Sequence, residues 1–399
     1  MSIKNKNFFN RQMDEIFVDP VLRFYGLALA IYLIFALYFM SKGILTELKP
    51  SSFPISWPFV SKWIEIRSNS FWSIYVFSAG IASIAAVAAF AFNSRLSYWL
   101  LLVVFFLKIF LGLQDYSQMG NYHYMPAIIL FLFLFVPQKR LLLPLFLVSF
   151  YFFAGLLKLN LEWLTGQALA RPLPQLLDIF GLWNYVFVVF LELVLSWLLL
   201  SESISLRVIS FLALLFFHAV SWYWVGYFYP VTMFFLLSYF PLVWALDPHF
   251  KFTTEIPKLS SISIVALVTF FSAQMIPKIQ PTDSALTGDG RLLSLNMYDA
   301  HSDCFDFAYA KSNKDIWEIT AGVTRNALRV HCDPILYLDQ INRICDEFKD
   351  LGVVAHVSYS QISKRRSNVV FYPTLKISHF CSDPIKFSIF GWNDWIESK

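Results

Sequence analysis

Before Cys304 this 399-residue chain has no cysteine, and along its whole length it has little charge. Asp, Glu, Lys and Arg make up 15% of it, where a soluble globular domain has about a quarter. That shortfall excludes an ordinary soluble domain. No CxxC pair and no His/Cys ligand spacing is present, so nothing points to a metal site. A basic stripe and a recognition module are also missing, which argues against nucleic acid as a partner. Neither an internal repeat nor a low-complexity tract breaks the chain. The net charge of +4 is too small over this length to select a partner.

What fills the space is apolar and aromatic. Hydrophobic residues are 57% of the chain, with 43 Phe, 19 Tyr and 13 Trp, and the mean hydropathy is +0.57. This is the composition of a polytopic membrane protein whose principal partner is the lipid bilayer. A crossing of about 30 Å of hydrocarbon takes roughly 17–25 apolar residues. Nine runs qualify as candidates: 20–41, 70–92, 95–113, 122–136, 141–161, 182–200, 204–224, 227–245 and 260–276. The fourth is short and stops at Pro137. The first follows a polar, charged segment and is too long for a signal-peptide core, so it reads as a retained helix.

Lys and Arg in short loops resist translocation and so set orientation. If odd-numbered helices run outward, the inside holds nine: Lys4, Lys6, Arg11, Arg95, Lys139, Arg140, Arg207, Lys251 and Lys258. The outside holds five: Lys42, Lys49, Lys62, Arg67 and Arg171. The bias predicts a cytoplasmic N-terminus and an extracytoplasmic C-terminal domain.

A composition shift near residue 277 divides a transmembrane domain, 1–276, from a tail, 277–399. All four cysteines, Cys304, Cys332, Cys345 and Cys381, lie in that tail. An even number confined to one polar segment suits an oxidising compartment and up to two disulfides. The other reading is free, buried thiols in a cytosolic tail. "DPILYLDQINRICDEFKDLG" predicts a helix: Asp333 caps it, Pro334 fits its first turn, and Gly352 closes it. Leu338, Ile341, Ile344 and Phe348 share its apolar face. "VVAHVSYSQISKRRSNVVFYPTLKIS" predicts two strands around a basic turn. The expected architecture is an all-α membrane bundle with a small extracytoplasmic α+β domain.

Ionisable residues inside membrane spans are costly, about 2.5–3.5 kcal/mol each at a helix centre on insertion scales, so each needs a reason. In this topology Lys158, near the end of "YFFAGLLKLNLEWLTGQALA", lies at the outer end of the fifth helix. His123 in "GNYHYM" opens the fourth at the same depth, and His218 in "FFHAVSWYW" lies in the outer third of the seventh. Asp115, Asn121, Glu162 and Arg171 flank that level. Each residue also has a structural reading. A lysine near a helix end snorkels to the headgroups, a histidine among aromatics can be interfacial, and a deeper one can be a satisfied core residue. Trp163, Trp222 and Trp224 fit an interfacial belt. Lys108 and Glu192 lie deeper and can pair within the bundle.

Taken as a string, "YFFAGLLKLNLEWLTGQAL" resembles the signature of the vitamin K-dependent γ-glutamyl carboxylases and their bacterial HTTM (horizontally transferred transmembrane) relatives. The shared pattern is aromatic-x-Gly-x-x-Lys-Leu, a spacer, Trp and Gly. "NYHYMPAIILFLFLFVP" is similar to the family's Asn-His-Tyr element, "FHAVSWYWVGYFYPVTMFFL" to its Phe-His…Gly-x-Phe helix pair, and "ELVLSWLLL" to the Glu-Leu helix between them. These elements occur in family order and cover roughly residues 15–250, with weaker likeness at "GDGRLLSLNMYD" and the predicted tail helix. Tyr122 stands before His123 where the carboxylases have asparagine, with Asn121 one place earlier. The tail is also much shorter than the propeptide-binding region of the animal enzymes.

The resemblance implies a carbon–carbon lyase coupled to epoxidation. Its cofactor would be reduced vitamin K or another quinol, with oxygen and carbon dioxide as co-substrates. Lys158 matches the family's lysine base, which takes a proton from the hydroquinone. Oxygenation to the epoxide then yields the strong base that removes a γ-proton from glutamate before carboxylation. His123 and His218 match the family's histidines, and an extracytoplasmic glutamate-containing protein or peptide would be the acceptor. Asn121, Glu162, Trp163 and Arg171 are substrate-binding candidates beside them. Lysine serves as a base only when neutral, a form that burial favours, and a site within the membrane admits a lipid-soluble quinone while excluding water. The motif also resembles lipase maturation factors, which implies a non-enzymatic alternative: a membrane factor assisting the maturation of exported proteins. A transporter is a weaker third reading, because no inverted repeat or paired broken helices are visible.

Overall fold

The computed structural model describes residues 7–46, 57, 69–114, 120–169, 179–226, 228–252, 259–279, 283–287, 293–296, 302–311, 316–318, 333–352 and 356–378, with short pieces between 381 and 397. The chain forms two compact units. The first comprises Met1–Pro54, Ile66–Leu156 and Val186–Phe271; the second comprises Ile55–Glu65, Leu157–Tyr185 and Ser272–Lys399.

The helices in chain order are α1 Phe8–Val18, α2 Pro20–Thr46, α3 Asn69–Ala91, α4 Leu96–Leu113, α5 Asn121–Phe135, α6 Lys139–Leu157 and the one-turn α7 Leu161–Leu164. Then come α8 Trp183–Leu193, continued by a 3-10 stretch Leu195–Leu200, α9 Ile204–Val225, α10 Phe228–Leu237, α11 Tyr239–Leu246, α12 Ser261–Ile279 and the short α13 Ser284–Thr287. Among the described residues eight segments are long and apolar enough to cross a membrane, the mark of a multi-pass membrane protein. Two of the eight are composite, α8 with its 3-10 extension and α10 with α11. The apolar α5 is shorter, at 15 residues.

One end of the helical unit is knit by polar contacts, and Gln138 with the first residues of α6, Lys139 and Arg140, is its hub. Lys139 Nζ is fully buried and donates to the Gln12 side chain, to Glu15 (3.3 Å) and to the Val136 carbonyl (2.9 Å). Arg140 forks between Asp19 (2.8 Å) and Asp247 (2.7 Å), with its guanidinium 4.5 Å from the Phe250 ring centroid. Asp19 also caps α2 by accepting from Val21 N at 2.8 Å, which satisfies one of the donors a helix start leaves open. Gln138 adopts φ +59° and accepts from Ser260 N (2.7 Å) and Ser263 Oγ (2.9 Å). Arg95 pairs with Asp14 at 2.6 Å, and Lys251 with Glu202 at 3.6 Å. Helix α1 and the described residues at 92–95, 136–140, 201–203, 247–252 and 259–260 therefore meet at the same end. The "polar, charged segment" of the sequence is α1, capped by Asn7 and burying Gln12, Met13 and Ile16.

The second unit contains an antiparallel sheet of β1 Ser302–Lys311, β2 Ile316–Glu318, β3 His356–Arg365 and β4 Tyr372–Ile377, in the order β2-β1-β3-β4. β1 pairs with β3 from Ser302↔Arg365 to Lys311↔His356, and a register shift at Gln361/Ile362 interrupts the β3–β4 ladder. Helix α14, Pro334–Asp350, supplies Tyr337, Leu338 and Ile341 to a core with Ala308, Ala310, Val357, Tyr359, Leu375 and Ile377. Ile344 and Phe348 pack at its margin. The helix starts as its sequence predicts, with Asp333 accepting from Ile335 N at 2.9 Å. Strand β1 escaped the sequence reading because its apolar pattern is inverted. Small Ala308 and Ala310 point inward, while Phe305, Phe307 and Tyr309 are exposed. A disulfide joins Cys345 of α14 to Cys381, 36 residues on. Cys304 is disulfide-bonded too, and Cys332 lies outside the described residues.

Candidate functional site

Helix α6 ends at Leu157, four residues earlier than the apolar run, so Lys158 is the first residue of a turn and not part of a helix. Asn160 builds that turn. Its Nδ2 donates to the Leu157 carbonyl (2.6 Å), and its Oδ1 accepts from Trp163 N (2.9 Å), capping α7. Gly166 then reverses the chain at φ +80°, a conformation that costs a side chain dearly. A Cβ there would also lie 2.3 Å from Tyr185 Oη. The Trp163 indole N–H donates to the Tyr185 carbonyl at 3.3 Å. The ring so fixed lies 5.1 Å from Lys158 Nζ, a cation–π contact. Lys158 is only 6% exposed. The "KLNLEWLTG" stretch is thus a helix stop, one helical turn and a left-handed glycine, which together seat the lysine over an indole.

The neighbouring acid has a different setting. Glu162 is buried and accepts from Ser367 Oγ and from Arg365 Nη1 (3.5 Å). Arg365 also grips Asp283 with two parallel bonds, 2.7 Å from Nε and 2.8 Å from Nη2. Such bidentate pairs are the strong form of a charge-assisted bond. Burial works against the Arg365 charge, but the bonds and charge of Asp283, with Glu162 behind, outweigh it and hold the guanidinium above its ordinary value. Glu162, expected from the sequence to bind substrate, is therefore engaged by the turn between β3 and β4.

In the helical unit His218, on α9, is fully buried. Its Nε2 lies 2.7 Å from the Tyr151 hydroxyl of α6, and its ring centroid is 5.4 Å from that of Tyr229. One residue of this pair donates and the other accepts, according to the imidazole tautomer. Glu192 of α8 is buried within electrostatic reach of Tyr151. It also backs onto Gly155, where a Cβ would come within 2.8 Å of Leu193 Cγ and 3.1 Å of Glu192 Cβ. Lys108 is buried on α4. His123, on the first turn of α5, is buried with its ring 4.5 Å from Tyr122 and 5.3 Å from Phe228. Phe228 in turn stacks on Phe39 at 3.9 Å.

His123 and His218 thus lie against consecutive residues, Phe228 and Tyr229, at the start of α10. Lys158, Glu162 and Trp163 belong to the second unit. Asn121 opens α5, while Asp115 and Arg171 lie outside the described residues. Tyr151 and Tyr229 were missed by the sequence reading. A signal was available: a hydroxyl inside an apolar span dominated by phenylalanine needs a partner. The chain matches no family model, no curated protein and no solved structure.

Proposed function

We propose that this chain is a quinol-dependent membrane enzyme of the γ-glutamyl carboxylase type, with Lys158 as its base and His123 and His218 beside the reacting glutamate. The observation that carries the reading is the burial of Lys158. A snorkelling lysine is covered by lipid and headgroups and would stand exposed in a chain without them. Lys158 is 6% exposed, so protein encloses it.

The aromatic surroundings of His123 support a quinol as the ligand. An imidazole able to exchange a proton lies among the rings of Tyr122 and Phe228, an apolar surroundings suited to a flat aromatic ring. A bound quinol would supply, with oxygen, the strong base needed to remove a γ-proton from glutamate. The histidines stabilise charge developing on the acceptor as hydrogen-bond donors. Tyr151 orients His218 through their shared bond, and Trp163 holds the Lys158 side chain in place. In this reading the helical unit makes nine crossings, with α5 as the shortest at about 22 Å. The end that gathers Arg95, Lys139, Arg140 and Arg207 faces the cytoplasm, as the positive-inside bias requires. The disulfide-bonded unit is extracytoplasmic.

The test is the purified full chain in lipid nanodiscs with vitamin K hydroquinone, oxygen, labelled carbon dioxide and a glutamate peptide. Label fixation and epoxide formation are expected, with at least a hundredfold loss in Lys158→Ala, the scale of a lost general base. Equal turnover in the variant would remove Lys158 from the mechanism. A second reading, a non-enzymatic factor for maturation of exported proteins, draws on the disulfide-bonded α+β unit; absence of turnover with several quinols would favour it.

A further inference from the structure

The turn between β3 and β4 has ordinary turn residues in Ser367 and Asn368, but an apolar stretch follows them. After a turn closed by Asn368 N donating to the Arg365 carbonyl (2.9 Å), the chain presents Val369 at 91% exposure and Val370 at 57%. Phe371 follows and meets the exposed Phe305 of β1, with ring centroids 5.2 Å apart. An apolar tip like this needs something to cover it, and the turn's own anchors say what lies there. Arg365 and Ser367 bind Glu162, five residues past the end of the membrane-length α6, while Arg365 grips Asp283, four residues past the end of α12. At about 3.5 Å per residue, each anchor lies within about 14–18 Å of a helix end. Both helix ends, from Leu157 and from Ser272–Ile279, belong to the same compact unit as the turn. The tip is therefore tied to the level where chain leaves hydrocarbon.

We propose that Val369, Val370 and the Phe305–Phe371 pair insert into the headgroup–acyl boundary of the bilayer, making this turn a membrane contact of the α+β unit. Apolar contact drives it, not attraction to anionic lipid. The cations at the tip have carboxylate neighbours: Arg365 with Asp283 and Glu162, and Lys364 and Arg366 with Asp303. The inference needs only that α6 and α12 cross the membrane and does not depend on the enzyme reading.

The experiment places a photoreactive p-benzoylphenylalanine at Val369 in the full-length protein, in nanodiscs of phosphatidylcholine with and without phosphatidylglycerol. A second variant carries it at Leu351, which is exposed at the C-terminal end of α14, the helix that leads into the end of β3 opposite the turn, an end roughly 30 Å from the turn along the strand. Lipid adducts are expected about tenfold more often at 369 than at 351, in both bilayers. Equal yields at the two positions, adducts mainly to protein, or adducts confined to anionic bilayers would each overturn the proposal. The same label at Val370 repeats the test, and mapping of the Cys345–Cys381 disulfide verifies folding in every variant.

Discussion

On α3 the residues turned outward are Ile74, Phe77, Ile81 and Ile84, each between 53% and 70% exposed; on α14 they are Asp346, Glu347, Lys349 and Asp350. Both helices show one face to their surroundings, but the surroundings differ. The helical unit offers apolar side chains to lipid and keeps its polar groups inward or at one end. The α+β unit does the reverse and adds disulfides. There a covalent staple ties α14 to the chain 36 residues on. In the bundle the hydrophobic drive between helices is weak because lipid tails are equally apolar. There, the specific contacts are polar knots such as Lys139 with Gln12 and Glu15, or Tyr151 with His218.

The comparison predicts which change harms which unit. Cys345→Ser opens a 36-residue loop and should cost about 4 kcal/mol by loop entropy. Hydrogen exchange should show that loss in α14 amides and none in α3; equal loss in both would break the comparison. Lys139→Ala should cost about 3 kcal/mol, because it leaves Gln12 and the Val136 carbonyl without their donor and Glu15 without its cation, although the backbone N–H of residue 139 still bonds Glu15. That is the low end for a buried pair, since Glu15 keeps some water contact. Thermal unfolding in detergent reads it, and a variant as stable as the parent would deny the polar knot its role. Smaller still are two glycine changes, about 1–3 kcal/mol each by overpacking. Gly166→Ala should be the worse, combining φ +80° with a 2.3 Å approach to Tyr185, whereas Gly155→Ala meets only Leu193 and Glu192 side chains. The reverse ranking would mean that the Lys158 turn is more pliable than its bonds imply.

Much of this was legible in advance where the signal is local. The apolar runs lie within a few residues of helix ends, because in lipid every backbone group must bond within its own segment. Asp333, Pro334 and the Leu338–Ile341 face announced α14. The apolar run extends past the α6 end because Leu159 and Leu161 continue it, whereas the helix ends at Leu157, where the Asn160 side chain bonds the last carbonyl. Strand β1 was invisible because its large residues face outward.

Residue order by itself located apolar segments that suit lipid, and the helix and hairpin of the tail. These are properties of neighbours in the chain: length, period, cap and composition. Tertiary structure alone decided that Lys139 meets Glu15 across 124 positions, that Tyr151 holds His218, and that Arg365 reaches back to Glu162 across 203. It also assigned the Lys158 turn to the second unit. Each of those pairings satisfies a charge or hydroxyl removed from water, and the identity of its partner depends on which segments pack together, something no stretch of neighbouring residues specifies.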